Sequence, residues 1–150
     1  MWKEDGTTTS KKNRRKEMRL WPLSILSQLP RQQLLGQHRE CCALRGKGWG
    51  RKHATVDYVF SHPREWLYEY HMFVIAECLL RRHYNIDPKW IHPNYCGKNL
   101  PKSNTPDLDE YESLFSPGDA VYPEHDDAYL AECISNLARK GIKITRPQAA

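Results

Sequence analysis

Apolar residues recur with a helical period in three stretches of this 150-residue chain. The first runs from Pro30, a residue type favoured at the first position of a helix, to Gly46, a helix stop. Leu34, Leu35, His38, Cys41, Cys42 and Arg45 fall on one side of its wheel, with Gln33, Gly36, Gln37 and Glu40 on the other. The second opens at Pro63 and runs to about His83, with Trp66, Leu67, Tyr70, Phe73, Val74, Cys78 and Leu79 at helical spacing. The third starts near Pro123 and ends before Gly141, burying Leu130, Cys133, Ile134 and Leu137.

Between the first two helices, a glycine-rich basic loop leads into HATVDYVF (53–60), whose β-branched and aromatic content reads as a short strand. Residues 84–122 are rich in Pro, Asn and Asp and read as a long ordered loop with short turns. The pattern therefore predicts a mostly α fold, a compact single domain of about three main helices with long loops. Residues 1–17 contain no aliphatic side chain except Met1 and read as a flexible basic extension. Apolar character begins abruptly at Met18, so the folded domain is expected over 18–150.

Composition narrows the class. With 39% hydrophobic and 27% charged residues the chain is not wholly disordered, and no apolar run approaches the ~20 residues of a membrane span. The formal charge of +5 is unevenly spread: residues 18–102 are basic and residues 103–150 are acidic. Such a dipole suits one face meeting a polyanion. Five cysteines, an odd number with two adjacent, argue against a disulfide framework and for a reducing compartment. The basic amino terminus is not followed by a continuous apolar region, so no secretory signal is expected and the cytoplasm is the default location.

Glu40 is the first candidate for chemistry. It shares a polar face with Gln33, Gln37 and Gly36, next to Arg39. Glycine inside a helix costs about 1 kcal/mol relative to alanine, which suggests close approach by something outside. The plainer reading is an exposed carboxylate paired with Arg39 or Arg45. A second candidate is the basic group Arg39, Arg45, Lys47, Arg51 and Lys52 around Trp49, suited to phosphates and base stacking unless the loop is merely solvated. No Cys-x-x-Cys, His-x-x-x-His or His-Glu-x-x-His spacing occurs, and no metal or other cofactor is expected. Nor does a local Ser-His-Asp or Cys-His nucleophile signature appear.

The stretch MRLWPLSILSQLPRQQLLGQHRECCALRG, then GRKHATVDYVF and LYEYHMFVIAECLLRRHYNI, resembles the phage-type pyrimidine-dimer DNA glycosylases, also called endonuclease V, as a bacterial relative. The resemblance is best over Met18 to Ile86 and looser through the third helix. It implies an enzyme that removes a damaged pyrimidine and nicks the abasic strand, with the chain's own α-amine attacking the sugar C1′ to form an imine. Glu40 matches the assisting glutamate and Arg39 the arginine before it. The nucleophile would be the α-amine of Met18 in a chain starting there, with Arg19 beside it as a phosphate-binding arginine. Gln33 stands where the phage member has a histidine, so it can hydrogen-bond but not titrate. The partner implied is double-stranded DNA carrying damaged pyrimidines or abasic sites, bound by a monomer away from membranes. Rival readings are a non-catalytic basic helical nucleic-acid-binding module and a helical protein-interaction domain.

Overall fold

A computed structural model describes residues 19–50, 56–99, 106, 108, 111 and 120–146. Among them three α-helices dominate and no strand occurs: α1 (Arg31–Arg45), α2 (Arg64–Ala76) and α3 (Asp127–Arg139). Pro30 and Pro63 stand immediately before α1 and α2, and Gly46 ends α1, as the punctuation of the sequence predicts. The start of α3 lies four residues beyond Pro123, because the Asp126 carboxylate caps it by accepting from the Tyr129 backbone N–H at 2.9 Å. The strand expected over 53–60 is replaced in its described part by a 3₁₀ turn, Asp57–Ser61, which tucks Val59 into the core. Residues 53–55 lie outside the described residues.

Helix α2 is the centre of the molecule. Leu67, Tyr70, Val74 and Cys78 join the larger core cluster with Leu34, Cys41 and Leu44 of α1 and Leu130, Cys133 and Leu137 of α3. Its opposite side, Met72, Ile75 and Ala76, packs with Ile91 and Leu108 in a smaller cluster. A helix buried on two sides carries apolar residues nearly all round, which is why its amphipathic stripe is broad.

The second helix does not run to His83 in α form. Glu77–Arg81 is a π-helical turn, followed by His83 with φ of 56°. This unwinding carries Arg82 out to the amino-terminal segment, where it donates to the carbonyls of Leu26, Ser27 and Leu29 at 2.8–3.1 Å. Those carbonyls belong to the end of a 3₁₀ helix, Leu23–Gln28, and the following residue; that of Leu26 also accepts the Leu29 backbone N–H at 3.2 Å.

An aromatic cluster seats α3 on this core. Tyr58, Tyr70, Tyr122, His125 and Tyr129 meet at ring centroid distances of 4.9–6.5 Å, with His125 stacked flat on Tyr129.

Candidate active site

The amino-terminal segment Arg19–Trp21 is buried, and three helices hold it. The Gln37 amide of α1 donates to the Arg19 carbonyl at 3.1 Å and accepts from the Trp21 backbone N–H at 2.6 Å. Tyr129 of α3 donates its hydroxyl to the Leu20 carbonyl at 2.8 Å, and Tyr70 of α2 donates to the Trp21 carbonyl at 2.6 Å. Three consecutive carbonyls are thus bound by one side chain from each helix. Burial pushes the phenols of Tyr70 and Tyr129 far above their ordinary range, so both remain protonated donors.

Gln37 and Glu40 are three residues apart on α1 and therefore neighbours on one helix face. Glu40 is half-buried, with its Oε2 shielded from solvent. Arg39 is exposed beside it, and Gln33 is half-buried one turn before Gln37. A Cβ at Gly36 would meet only the Arg39 guanidinium, at 3.7 Å, so packing inside the protein does not demand glycine there. The clamp brings the segment that follows Met18 onto the face that carries Glu40. Met18 itself lies outside the described residues, as do Arg51 and Lys52.

Two of the expected phosphate-binding arginines point elsewhere. Arg19 directs its guanidinium at Glu132 of α3, with an N–O distance of 2.7 Å and 8% of the side chain exposed. Arg45 is 4% exposed and donates to the carbonyls of Trp90, His92 and Tyr95 at 2.7–3.3 Å. Its guanidinium also lies over the rings of Tyr68 and Trp90 at 5.1 and 5.2 Å. This arginine is a buried brace for the loop after α2, and its donors are not available to DNA. Lys47, by contrast, is exposed just past the end of α1. Trp49 packs edge-on against Phe60 and anchors the loop to the core.

Gln37 sits on the polar face of α1 in the sequence, yet it is 2% exposed. Nothing in its local pattern marks it, because the chain covering it lies sixteen residues earlier. Tyr70 and Tyr129 are legible as core aromatics, but their hydroxyl partners are not.

Arg45 also orders a second buried group. Its guanidinium can only donate, so the bond of 2.8 Å to His71 makes His71 Nδ1 an acceptor and places the ring proton on Nε2. His71 Nε2–H then donates to His38 Nδ1 at 2.9 Å, which leaves the proton of His38 on Nε2, 3.7 Å from the Cys42 sulfur. His38, Cys42 and His71 offer ligand atoms within 4.8 Å of one another, a cluster that sequence spacing did not reveal because His71 comes from another helix. These donors do not fit a resident cation. Ligation through His71 Nε2 would move the proton to Nδ1, against the Arg45 N–H.

Burial also lowers His38 and His125 to about 4, and His71 well below its usual value. A depressed histidine stabilises the folded state fully above the unfolded value of about 6.5, and the contribution is lost as pH falls through the folded value. The guanidinium midpoint of unfolding is therefore level between pH ~7 and ~8 and falls steadily between pH ~6.5 and ~4. An unchanged midpoint at pH ~5 would show that these rings are protonated without penalty in the fold.

The family model for pyrimidine dimer DNA glycosylase matches residues 18–92, half of the chain, and the protein belongs to that family. Membership carries the family's general activity, DNA-repair glycosylase, and with it DNA containing damaged pyrimidines as the partner. Neither the search of curated proteins nor that of solved structures finds a match. The matched span includes α1, α2 and the clamped segment, while α3, with Tyr129 and Glu132, lies beyond it. No described helix is long and apolar enough to cross a membrane.

Proposed function

We propose that the protein excises damaged pyrimidines and then cleaves the abasic strand, using the α-amine of Met18 in a form of the chain that begins there. The observation that carries this reading is the three-helix clamp on Arg19–Trp21, which anchors the chain immediately after Met18 to the face of α1 bearing Glu40. An α-amine, with an ordinary pKa of about 7.7–8.0, is partly neutral and nucleophilic near neutral pH, whereas a lysine at about 10.4 is not.

The amine attacks C1′ as the bond to the damaged base breaks, and the base leaves with the bonding electron pair and is protonated. Glu40 stabilises the positive charge that develops on the sugar. Ring opening gives an imine between the amine and C1′. Loss of a C2′ proton to Glu40 or to water then expels the 3′ phosphate, which breaks the strand. The target nucleotide leaves the stack to reach the site. Arg39 and Lys47 hold flanking phosphates, joined by Arg51 and Lys52, and Gln33 hydrogen-bonds at the edge of the site. The enzyme works as a monomer in the cytoplasm, without a cofactor.

Borohydride trapping on duplex DNA with one abasic site tests the proposal. A chain starting at Met18 gives a covalent protein–DNA adduct, and prior acetylation of its α-amine removes it. The 150-residue chain, whose α-amine lies seventeen residues upstream, gives none. Equal trapping before and after acetylation, or by both chains, overturns the assignment. Binding without any adduct would leave a basic helical nucleic-acid-binding module.

A further inference from the structure

Beyond the clamp, α1 leads into a groove of about 870 Å³ formed where its carboxy-terminal end meets the start of α2 and the loop after Trp90. Lys47, Arg64 and Lys98 line it, together with Gly46, Gly48 and Gly97, and no carboxylate does. All three cations are exposed. Arg64 is held in place by donating to the Arg45 carbonyl and by lying over the Trp49 ring at 5.1 Å. That bond also offsets the negative end of α1, which would otherwise oppose an anion. Neither lysine has an ion-pair partner among the described residues.

The glycines keep the walls low for reasons internal to the fold. A Cβ at Gly48 would lie 2.7 Å from the Ala43 carbonyl oxygen, and one at Gly46 would lie 3.0 Å from that of Cys96. Gly97, with φ of 104°, makes a turn that side chains disfavour. Backbone therefore approaches the groove closely between the lysines, and the indole of Trp90 forms part of its wall.

The groove begins one helical turn along α1 from the candidate active site. Ala43 lines it and sits on α1 one turn beyond Arg39 and Glu40, about 4.5 Å along the axis from Glu40. A strand with its reacting sugar at Glu40 would thus have its next phosphates at Lys47, Arg64 and Lys98.

We infer that this groove binds the sugar–phosphate backbone of DNA next to the lesion, without regard to sequence. The inference rests on the repair-enzyme reading for its ligand and adds Arg64 and Lys98 to the DNA-binding surface. Three cations without a carboxylate favour a polyanion, which such charges hold through its phosphates.

The test uses the 150-residue chain and a short undamaged DNA duplex, so it needs no cleavage. Each phosphate contact contributes about 0.9 to the slope of log K against log salt. Lys47→Ala and Lys98→Ala each reduce that slope by about 0.9, and the double variant reduces it by about 1.8. Cys96 supplies a positional readout: it lines the groove and is exposed, whereas Cys41, Cys78 and Cys133 are buried and Cys42, also on the groove, is half-buried. Saturating duplex slows maleimide alkylation of Cys96 at least several-fold. An unchanged slope in the double variant, or alkylation of Cys96 at the same rate with and without DNA, overturns the inference. Protection of Cys96 without borohydride trapping would sustain the groove and defeat the amine mechanism, and trapping with an unchanged slope would do the reverse.

Discussion

Glu40→Gln leaves duplex binding in place and lowers cleavage at abasic sites by a factor on the order of 10²–10⁴. The substitution keeps the shape of the side chain and its capacity to hydrogen-bond, while removing the negative charge and the ability to take up a proton. In the mechanism proposed above both properties are used, first against the cationic sugar and then during elimination. A charge acting from a half-buried position is screened less than one in open solvent, so its loss is felt strongly. Single-turnover nicking of an abasic duplex, alongside equilibrium binding of the same duplex, separates the two effects. Unchanged nicking would reduce Glu40 to a structural carboxylate. Loss of binding and nicking together, with a lowered unfolding midpoint, would point to the same conclusion.

Arg45→Met has its effect on stability. Removing the guanidinium strips the donor from three carbonyls, those of Trp90, His92 and Tyr95, and from the buried Nδ1 of His71. Methionine fills much of the volume but supplies no donor. The His92 carbonyl keeps the Tyr95 backbone N–H, but stripping the donor from the other acceptors costs on the order of 3–5 kcal/mol, a large share of the stability of a domain this size. Denaturant titration measures the loss. The salt slope of DNA binding stays at its parent value under conditions where the variant is folded. A lowered slope with unchanged stability would instead restore Arg45 to the DNA-binding surface.

The contrast between Arg45 and Lys47 shows what local pattern can and cannot reveal. Both are basic residues at the end of one helix, and the charge map of the sequence groups them together. Arg45 falls on the same helical side as Leu34, His38 and Cys41, which hints at burial. Its carbonyl partners, however, lie forty-five to fifty residues later, in the 3₁₀ turn Pro88–Ile91 and the residues just after it. Arg19 is similar: the Glu132 facing it is 113 residues away. Gln37 reads as a surface residue until the amino-terminal segment covers it.

Helix placement was largely legible because its determinants are local. Pro30, Gly46 and Pro63 set helix ends through the backbone angles and hydrogen bonds that those residues permit, and the apolar spacing marked most of each buried face. The family resemblance was likewise visible in the contiguous run from Met18 onward, and the matched span bears it out. Tertiary structure decided the rest: which polar side chains are consumed inside the fold, which helices clamp Arg19–Trp21, and which cations gather at one groove. The physical reason is that helical period is written into neighbouring residues, whereas a buried hydrogen-bonding group is satisfied by whatever the folded chain brings to it, at any distance in sequence.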